Sequence, residues 1–244
     1  MKEIGIKENL LRALRLFATQ IGVALLSVIV YVFVTMFAVS AFSQQVGYEV
    51  YIESEQGGYE YAYAYYYADG EDTKLADYDE NKIYKQSIRL LSDTANIVVK
   101  VVVQIMTAVM FVYLVYGYVW NRGSEDSARI DFEHKTGDCH YGLKLGLLGA
   151  VPLFVIYLLV IAEKIMGTSF ALSAYKIANF GMFYLTELAC NGVTKAAQLP
   201  LWSFLPLLAI LFALPLVSWF GYYMGYKNVN MRNLLVYGKN NGGK

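Results

Sequence analysis

The amino-acid sequence predicts an all-α membrane protein: a bundle of four transmembrane helices with a small extracytoplasmic β-hairpin/helix insertion. Its composition is 57% hydrophobic and 16% charged, whereas soluble domains are about 45–50% apolar and about a quarter charged. The apolar excess is collected in four long segments without charged residues, and Lys and Arg are concentrated beside them on one predicted side. Together these features indicate a chain that crosses a lipid bilayer several times.

Each charge-free segment reaches or approaches the length of roughly 20 apolar residues that a transmembrane helix needs. With flanking interface residues included, we assign the spans to 16–42, 97–120, 143–163 and 201–226. The first span contains Val39-Ser40-Ala41, which is typical of a signal-peptide cleavage site. We nevertheless expect it to be retained as an anchor, because the apolar core of a signal peptide is only about 7–15 residues long.

The distribution of charge predicts how the chain is threaded. Lys and Arg are enriched in cytoplasmic loops, and they are frequent in segments 1–15, 121–142 and 227–244. A four-span chain has all three on one side, so both termini are predicted to be cytoplasmic. Segments 43–96 and 164–200 then face outward, and 43–96 carries eleven Asp or Glu against four Lys or Arg.

Segment 43–96 contains alternating tyrosines, at the period of two that puts side chains on one face of a strand. The candidate partner-binding residues are Tyr59, Tyr61, Tyr63, Tyr65 and Tyr67. Residues 46–52 alternate in the same way, and Gly57-Gly58 suits a turn between the two runs. We predict a β-hairpin over 46–67 with an aromatic face. That face could rest on the protein's own helix ends or lipid headgroups, on a partner protein or second copy, or on a saccharide.

The acidic run after the hairpin resembles a calcium-binding loop only in part. Residues 77–81 match its first positions, but Lys82 replaces the required Gly and Ile88 replaces the bidentate Glu. We therefore expect a solvated acidic loop. The apolar residues between 83 and 91 recur at helical spacing, which predicts a short helix leading into the second span.

Segment 164–200 contains an apolar stretch from Ala171 to Tyr184 that is interrupted by Lys176 and Asn179. A fifth span here would move the basic tail to the outside. We therefore predict an amphipathic helix on the outer interface, ending near Asn191-Gly192, with a fifth span as the alternative.

Glycines at helical spacing mark two of the spans as candidate packing faces. They are Gly142, Gly146 and Gly149 near the start of the third span, and Gly221 and Gly225 near the end of the fourth. Small residues allow helix backbones to approach closely. We predict that the third and fourth helices pack together within one chain, with a homodimer seam as the alternative. Pro206 and Pro215 predict a kink in the fourth span.

A search for catalytic or ligand-binding motifs gives a negative prediction. His134, Asp138, Cys139 and His140 are metal-donor residues in one short loop, but their spacing matches no established ligand pattern. The sequence has no nucleotide-binding, metalloprotease or serine-hydrolase motif. The four long apolar runs also contain no charged side chain that could take part in catalysis or proton transfer. We expect no enzymatic activity, no metal, no cofactor and no nucleic-acid partner.

The sequence therefore favours a multi-pass, non-enzymatic accessory or interaction protein. Besides the lipid bilayer, its partner would be another protein or a second copy, contacted through the outer loop or the glycine faces. The alternative is a subunit of a membrane transporter or permease complex, whose spans line a path only within an assembly. A membrane-embedded enzyme is a third hypothesis, but the sequence contains no recognisable set of catalytic residues that would support it.

Overall fold

The computed structural model describes residues 6–54, 58–69, 82–133, 137–167 and 170–229. The helices are α1 (Ile6–Phe42), α2 (Asp93–Glu133), α3 (Tyr141–Met166), α4 (Phe170–Ala178), α5 (Phe183–Cys190), α6 (Phe204–Leu211) and α7 (Ala213–Tyr226). The strands are β1 (Gln44–Ser54), β2 (Gly58–Tyr66) and β3 (Ile83–Leu90). Internal contacts divide the chain into two compact units, Tyr31–Val103 and the combination of Met1–Val30 with Gln104–Lys244.

Four helical segments are long and apolar enough to cross a membrane, the number that the sequence predicts. They are Ile6–Phe42, Asp93–Ile130, Tyr141–Met166 and Leu201–Tyr226. Large apolar side chains such as Leu25, Ile105, Leu158 and Leu205 are exposed on their surfaces. Such exposure is costly in water and is expected where a helix faces lipid. The predominantly helical fold with four apolar helices is thus confirmed.

Two of these helices are longer than the predicted spans. α1 begins ten residues before position 16, and α2 continues past 120 to Glu133. The absence of charge predicts only the part of each helix that crosses the membrane. The helix itself continues through Arg, Glu and Ala, because all three have good helix propensity. The extensions bring Arg12 and Asp126 into regular helices.

The fourth span is interrupted. After a short 3₁₀ turn at Leu201–Ser203, α6 ends at Leu211 and α7 begins at Ala213. Pro215 lacks the N–H that would bond to Leu211 O four residues earlier, so the helix is weakened at this point. The break therefore lies where Pro215 predicts it.

Side-chain contacts show which helix ends lie together. Arg12 near the start of α1 binds Asp126 in the last part of α2, and Tyr222 near the end of α7 also donates to Asp126. Tyr141, at the start of α3, packs its ring against Tyr222. The four long segments thus alternate in direction, as in an up-and-down helix bundle.

The three strands form one antiparallel sheet in the order β2-β1-β3. The predicted β-hairpin is confirmed as β1 and β2, although residues 55–57 of its turn lie outside the described residues. The helix predicted after residue 81 is wrong, because Ile83–Leu90 is β3. Its Ile and Tyr residues also suit a strand, and pairing with the free side of β1 decides between the two.

Candidate functional site

A β-bulge divides the tyrosines between the two faces of the sheet. Tyr63 pairs with Val50 and Tyr61 pairs with Tyr51, so Ala62 is an extra residue in β2. Because successive residues of β1 point to opposite faces, Tyr61 and Tyr63 lie on opposite faces. The prediction of a single aromatic face is therefore wrong, because one inserted residue reverses the alternation.

One face combines tyrosine rings with carboxylates, and we call it the tyrosine–glutamate face. It is defined by Glu49, Tyr51, Glu53, Tyr59, Tyr61 and Tyr84. Ring centroids lie 5.8 Å apart for Tyr51 and Tyr61, 6.0 Å for Tyr51 and Tyr84, and 5.8 Å for Tyr59 and Tyr84. Tyr59, Tyr61 and Tyr84 are 56%, 59% and 52% exposed. The rings form a contiguous and accessible aromatic patch.

The electrostatic character of this face is acidic. Among the described strand residues that share it, none is Lys or Arg. The Tyr51 hydroxyl donates a hydrogen bond of 2.7 Å to a Glu49 carboxylate oxygen, and this bond raises the pKa of Tyr51 above its usual value. The patch therefore presents negative ring faces beside two carboxylates.

The opposite face holds the other three candidate tyrosines, which are Tyr63, Tyr65 and Tyr67. Tyr48 packs against Tyr65 at 5.0 Å, and Tyr67 contacts both rings at 6.3–6.4 Å. Lys85 Nζ lies 5.1 Å from the centroid of the Tyr48 ring, within the range of a cation–π interaction. This face already has a cation over its aromatic cluster, whereas none of the described strand residues on the tyrosine–glutamate face is a cation.

A second polar feature lies inside the helical unit, where α4 gives way to α5. Gln20 Nε2 of α1 donates to Ala178 O at 3.3 Å, and Gln104 Nε2 of α2 donates to Gly181 O at 3.2 Å. Gln104 Oε1 also accepts the backbone N–H of Tyr184 at 3.0 Å. The two glutamines, which we call the amide clamp, thus satisfy backbone groups that the helix break leaves without helical partners.

The start of α4 is held by a buried carboxylate from α3. Glu163 accepts the backbone N–H groups of Ala171 and Leu172 at 2.6 and 3.0 Å. A carboxylate at a helix N-terminus is favoured by both the free N–H groups and the helix dipole. This role is not predicted from the sequence, because Glu163 lies just after a charge-free run and resembles an ordinary helix-end residue.

A buried ion pair joins α1 to α2. Arg12 Nη1 lies 2.7 Å from Asp126 Oδ2, and both side chains are 7% exposed. Arg12 also bonds to Glu8 at 2.8 Å, and the Tyr222 hydroxyl donates to Asp126 at 3.0 Å. The sequence predicts that Arg12 is an orientation signal in segment 1–15 and that Asp126 balances the basic residues of segment 121–142, and nothing in their local sequence indicates that they pair.

The predicted packing glycines all lie in helix contacts within one chain, although their partners differ. An added Cβ at Gly142 or Gly146 would meet α7, and one at Gly149 would meet Leu16 of α1. Cβ atoms at Gly221 and Gly225 would meet α2 rather than α3, so only α3 uses its glycines to approach α7. Gly123 is not among the predicted packing glycines, but a Cβ added there would lie 2.3 Å from Tyr222 O.

Replacing Gly225 with Ala is expected to lower the free energy of unfolding by about 1–3 kcal/mol, the usual cost of overpacking. The new Cβ would lie 2.1 Å from Trp120 O, a backbone atom that cannot rotate away. Gly117→Ala is the control, because a Cβ there meets no described atom within 4 Å. Unfolding in mixed micelles should show a loss for Gly225→Ala and a small gain for Gly117→Ala. Equal stability of the two variants would contradict the packing.

The short loop before α3 is structural in its described part. Trp219 Nε1 donates to His140 Nδ1 at 2.9 Å, and Asp138 accepts bonds from Lys144 Nζ and from the His140 N–H. The two bonds lower the pKa of Asp138. His134 and the calcium-like run at 77–81 lie outside the described residues. Within the described ranges, no group of three or more His, Cys, Asp or Glu is arranged to hold a metal.

Comparisons with protein-family models, curated proteins and solved structures find no match.

Proposed function

We propose that this protein is a non-enzymatic accessory protein of a membrane, which holds the tyrosine–glutamate face available to a protein partner rich in Lys and Arg. The four apolar helices anchor the chain in the bilayer. The positive-inside distribution of Lys and Arg supports a threading with both termini in the cytoplasm and the sheet on the other side. The observation that carries the proposal is the bulge at Ala62, which collects exposed tyrosines and glutamates on one face.

The chemistry of this face selects the class of partner. Tyrosine rings attract Lys and Arg through their negative faces, and Glu49 and Glu53 add complementary charge. A second copy docking through the same face would oppose carboxylates to carboxylates, which disfavours self-association. A neutral saccharide would use the rings but gain nothing from the two carboxylates. A basic protein surface uses both features.

Binding of a fluorescent hexa-arginine peptide to the full chain in nanodiscs tests this proposal, with a hexa-glutamate peptide as the negative probe. We expect salt-sensitive binding of the arginine peptide that weakens at least threefold in Glu53→Gln and in Tyr61→Ser. Glu60→Gln is the matched control, because Glu60 pairs with Ile52 on the opposite face. Equal loss in Glu53→Gln and Glu60→Gln, or no binding, would contradict a specific basic-partner site.

One observation favours a second candidate, a subunit of a transport complex. A polar cluster is buried among the helices around the α4–α5 break; its members are Gln20, Ser27, Gln104, Thr107, Asn179 and Thr186. Within the part of the chain that the structure describes, Gln20 Oε1 has no hydrogen-bond partner. Such a group can accept a hydrogen bond from a small polar solute. Solute flux in proteoliposomes that Gln20→Leu abolishes would favour this candidate over the first.

A further inference from the structure

The segment that contains α4 and α5 folds back on itself. Lys176 Nζ in α4 donates to Val193 O, seventeen residues later, at 2.8 Å. In one continuous helix these positions would be about 25 Å apart, far beyond the reach of a lysine side chain. The chain bends at Asn179 and the 3₁₀ turn Phe180–Met182 and turns again at residues 191–192 after α5, and we describe α4 and α5 as the two arms of a helical hairpin.

The two ends of the segment that contains this hairpin lie at the same end of α3. Glu163 caps the beginning of α4. The neighbouring Lys164 donates to Leu199 O, which lies beyond α5 and just before the fourth span. A segment that leaves and returns at one end of α3 does not cross to the other end, so it is not a fifth span.

The tip of the hairpin lies deep among the long helices. Gln20 binds Ala178 O, and a Cβ at Gly181 would lie 3.4 Å from Val23 and 3.9 Å from Phe111. Val23 lies about 10 Å along α1 from Leu16, where the charge-free run begins. α4 itself is nine residues long, or about 14 Å, which is roughly half of the ~30 Å hydrocarbon core.

The broken backbone at this depth is enclosed by protein. Irregular backbone at membrane depth requires partners for its polar groups, because lipid supplies none. The amide clamp supplies them at Ala178, Gly181 and Tyr184, while Asn179 Nδ2 bonds to Tyr175 O at 3.1 Å. This requirement accounts for the two glutamines within otherwise apolar spans.

We infer that α4 and α5 form a re-entrant helical hairpin, which enters the membrane from the side opposite the termini and turns back near mid-depth against Gln20 and Gln104. The inference rests on the proposal that the chain is a four-span membrane protein. It replaces the flat interfacial helix that the sequence predicted. An interfacial helix has its polar face in water, whereas here the polar groups of the turn face α1 and α2.

Spin labels measure the depth of this segment directly. In a chain with Cys139→Ser and Cys190→Ala, nitroxides are attached at Ile177 and Leu185, two exposed positions that flank the tip. Reference labels are attached at Leu26 and Met106 within the spans and at Met166 and Leu201 at their ends. Collision rates with oxygen and with a water-soluble nickel chelate then give the depth of each label in liposomes.

We expect Ile177 and Leu185 to match Leu26 and Met106, with high oxygen and low nickel accessibility. A match to Met166 and Leu201 would overturn the hairpin in favour of an interfacial helix. Water accessibility at Leu26 and Met106 as well would instead overturn the proposal that the chain spans a membrane. An impermeant maleimide should also label Met166→Cys and Lys195→Cys from the same side, and labelling from opposite sides would establish a fifth span.

The role of the clamp has its own variant. Gln104→Leu removes the hydrogen-bond partners of Gly181 O and of the Tyr184 N–H, so the label at Leu185 should gain mobility and nickel accessibility. Thr107→Val is the matched control, because the buried Thr107 hydroxyl bonds to Gln104 O within α2. Equal responses of the Leu185 label in the two variants would contradict the clamp. An unchanged depth of this label in Thr107→Val would separate the loss of the Gln104 hydrogen bonds from a general loss of folding.

Discussion

Replacing Asp126 with Ala is expected to lower the free energy of unfolding by about 3–5 kcal/mol, the range measured when one partner of a buried ion pair is removed. The variant leaves the Arg12 side chain buried, at 7% exposure, with Glu8 as its ion-pair partner among the described residues. It also removes the acceptor of the Tyr222 hydroxyl. Unfolding by SDS in mixed micelles, followed by tryptophan fluorescence, measures the loss.

Glu125→Ala is the matched control for this prediction. Glu125 is the adjacent carboxylate on α2 and pairs with Arg122, but its side chain is 59% exposed. Exposed pairs contribute about 0–1 kcal/mol, so this variant should remain close to the parent. In a double-mutant cycle, Arg12→Met should recover part of the loss caused by Asp126→Ala, because no charge is then left buried. Similar losses in the Asp126 and Glu125 variants would contradict a buried pair.

Replacing Glu163 with Ala is the change expected to have the other large effect, a loss of about 2–6 kcal/mol for two buried donors. The two backbone N–H groups at the start of α4 lose their acceptor, and each buried donor without a partner costs about 1–3 kcal/mol. Because α4 begins at this contact, the whole hairpin should loosen. The expected signature is faster proteolysis within 167–200, measured together with the unfolding free energy.

Glu163→Gln separates capping from simple packing. Glutamine has nearly the same volume and retains one carbonyl oxygen, so it should keep roughly half of the stability that Ala loses. If Gln and Ala are equally destabilising, the charge of Glu163 matters more than its geometry as a cap. If neither variant changes proteolysis of the segment, the hydrogen bonds from Ala171 and Leu172 do not hold α4.

The sequence predicts the helical class and the four long apolar helices well, because both follow from composition and from uninterrupted hydrophobicity. It also predicts the hairpin of β1 and β2 from alternation and a glycine pair. These are local signals. Where the structure differs, the deciding interaction joins residues distant in sequence: β3 is a strand because β1 offers it a pairing edge, although its spacing also suits a helix.

The candidate sites depend on such distant contacts even more strongly. The bulge at Ala62 is invisible in a run of alternating tyrosines, yet it decides which of them share a face with Glu49 and Glu53. The pairing of Arg12 with Asp126 joins residues 114 positions apart. The polarity of Gln20 and Gln104 is visible in the sequence, but its purpose appears only when the α4–α5 break lies beside them.

In the proposed threading, four spans hold the sheet on one side of a membrane and both described chain ends on the other. Single cysteines can be labelled with an impermeant maleimide in sealed right-side-out vesicles, in a Cys139→Ser background, to determine the side on which each lies. The exposed positions are Glu53 on the sheet, Lys7 near the start of α1 and Lys227 after α7. In this threading Glu53→Cys should be labelled in sealed vesicles, and Lys7→Cys and Lys227→Cys should react only after the vesicles are opened. Labelling of Glu53→Cys and Lys7→Cys from the same side would contradict it.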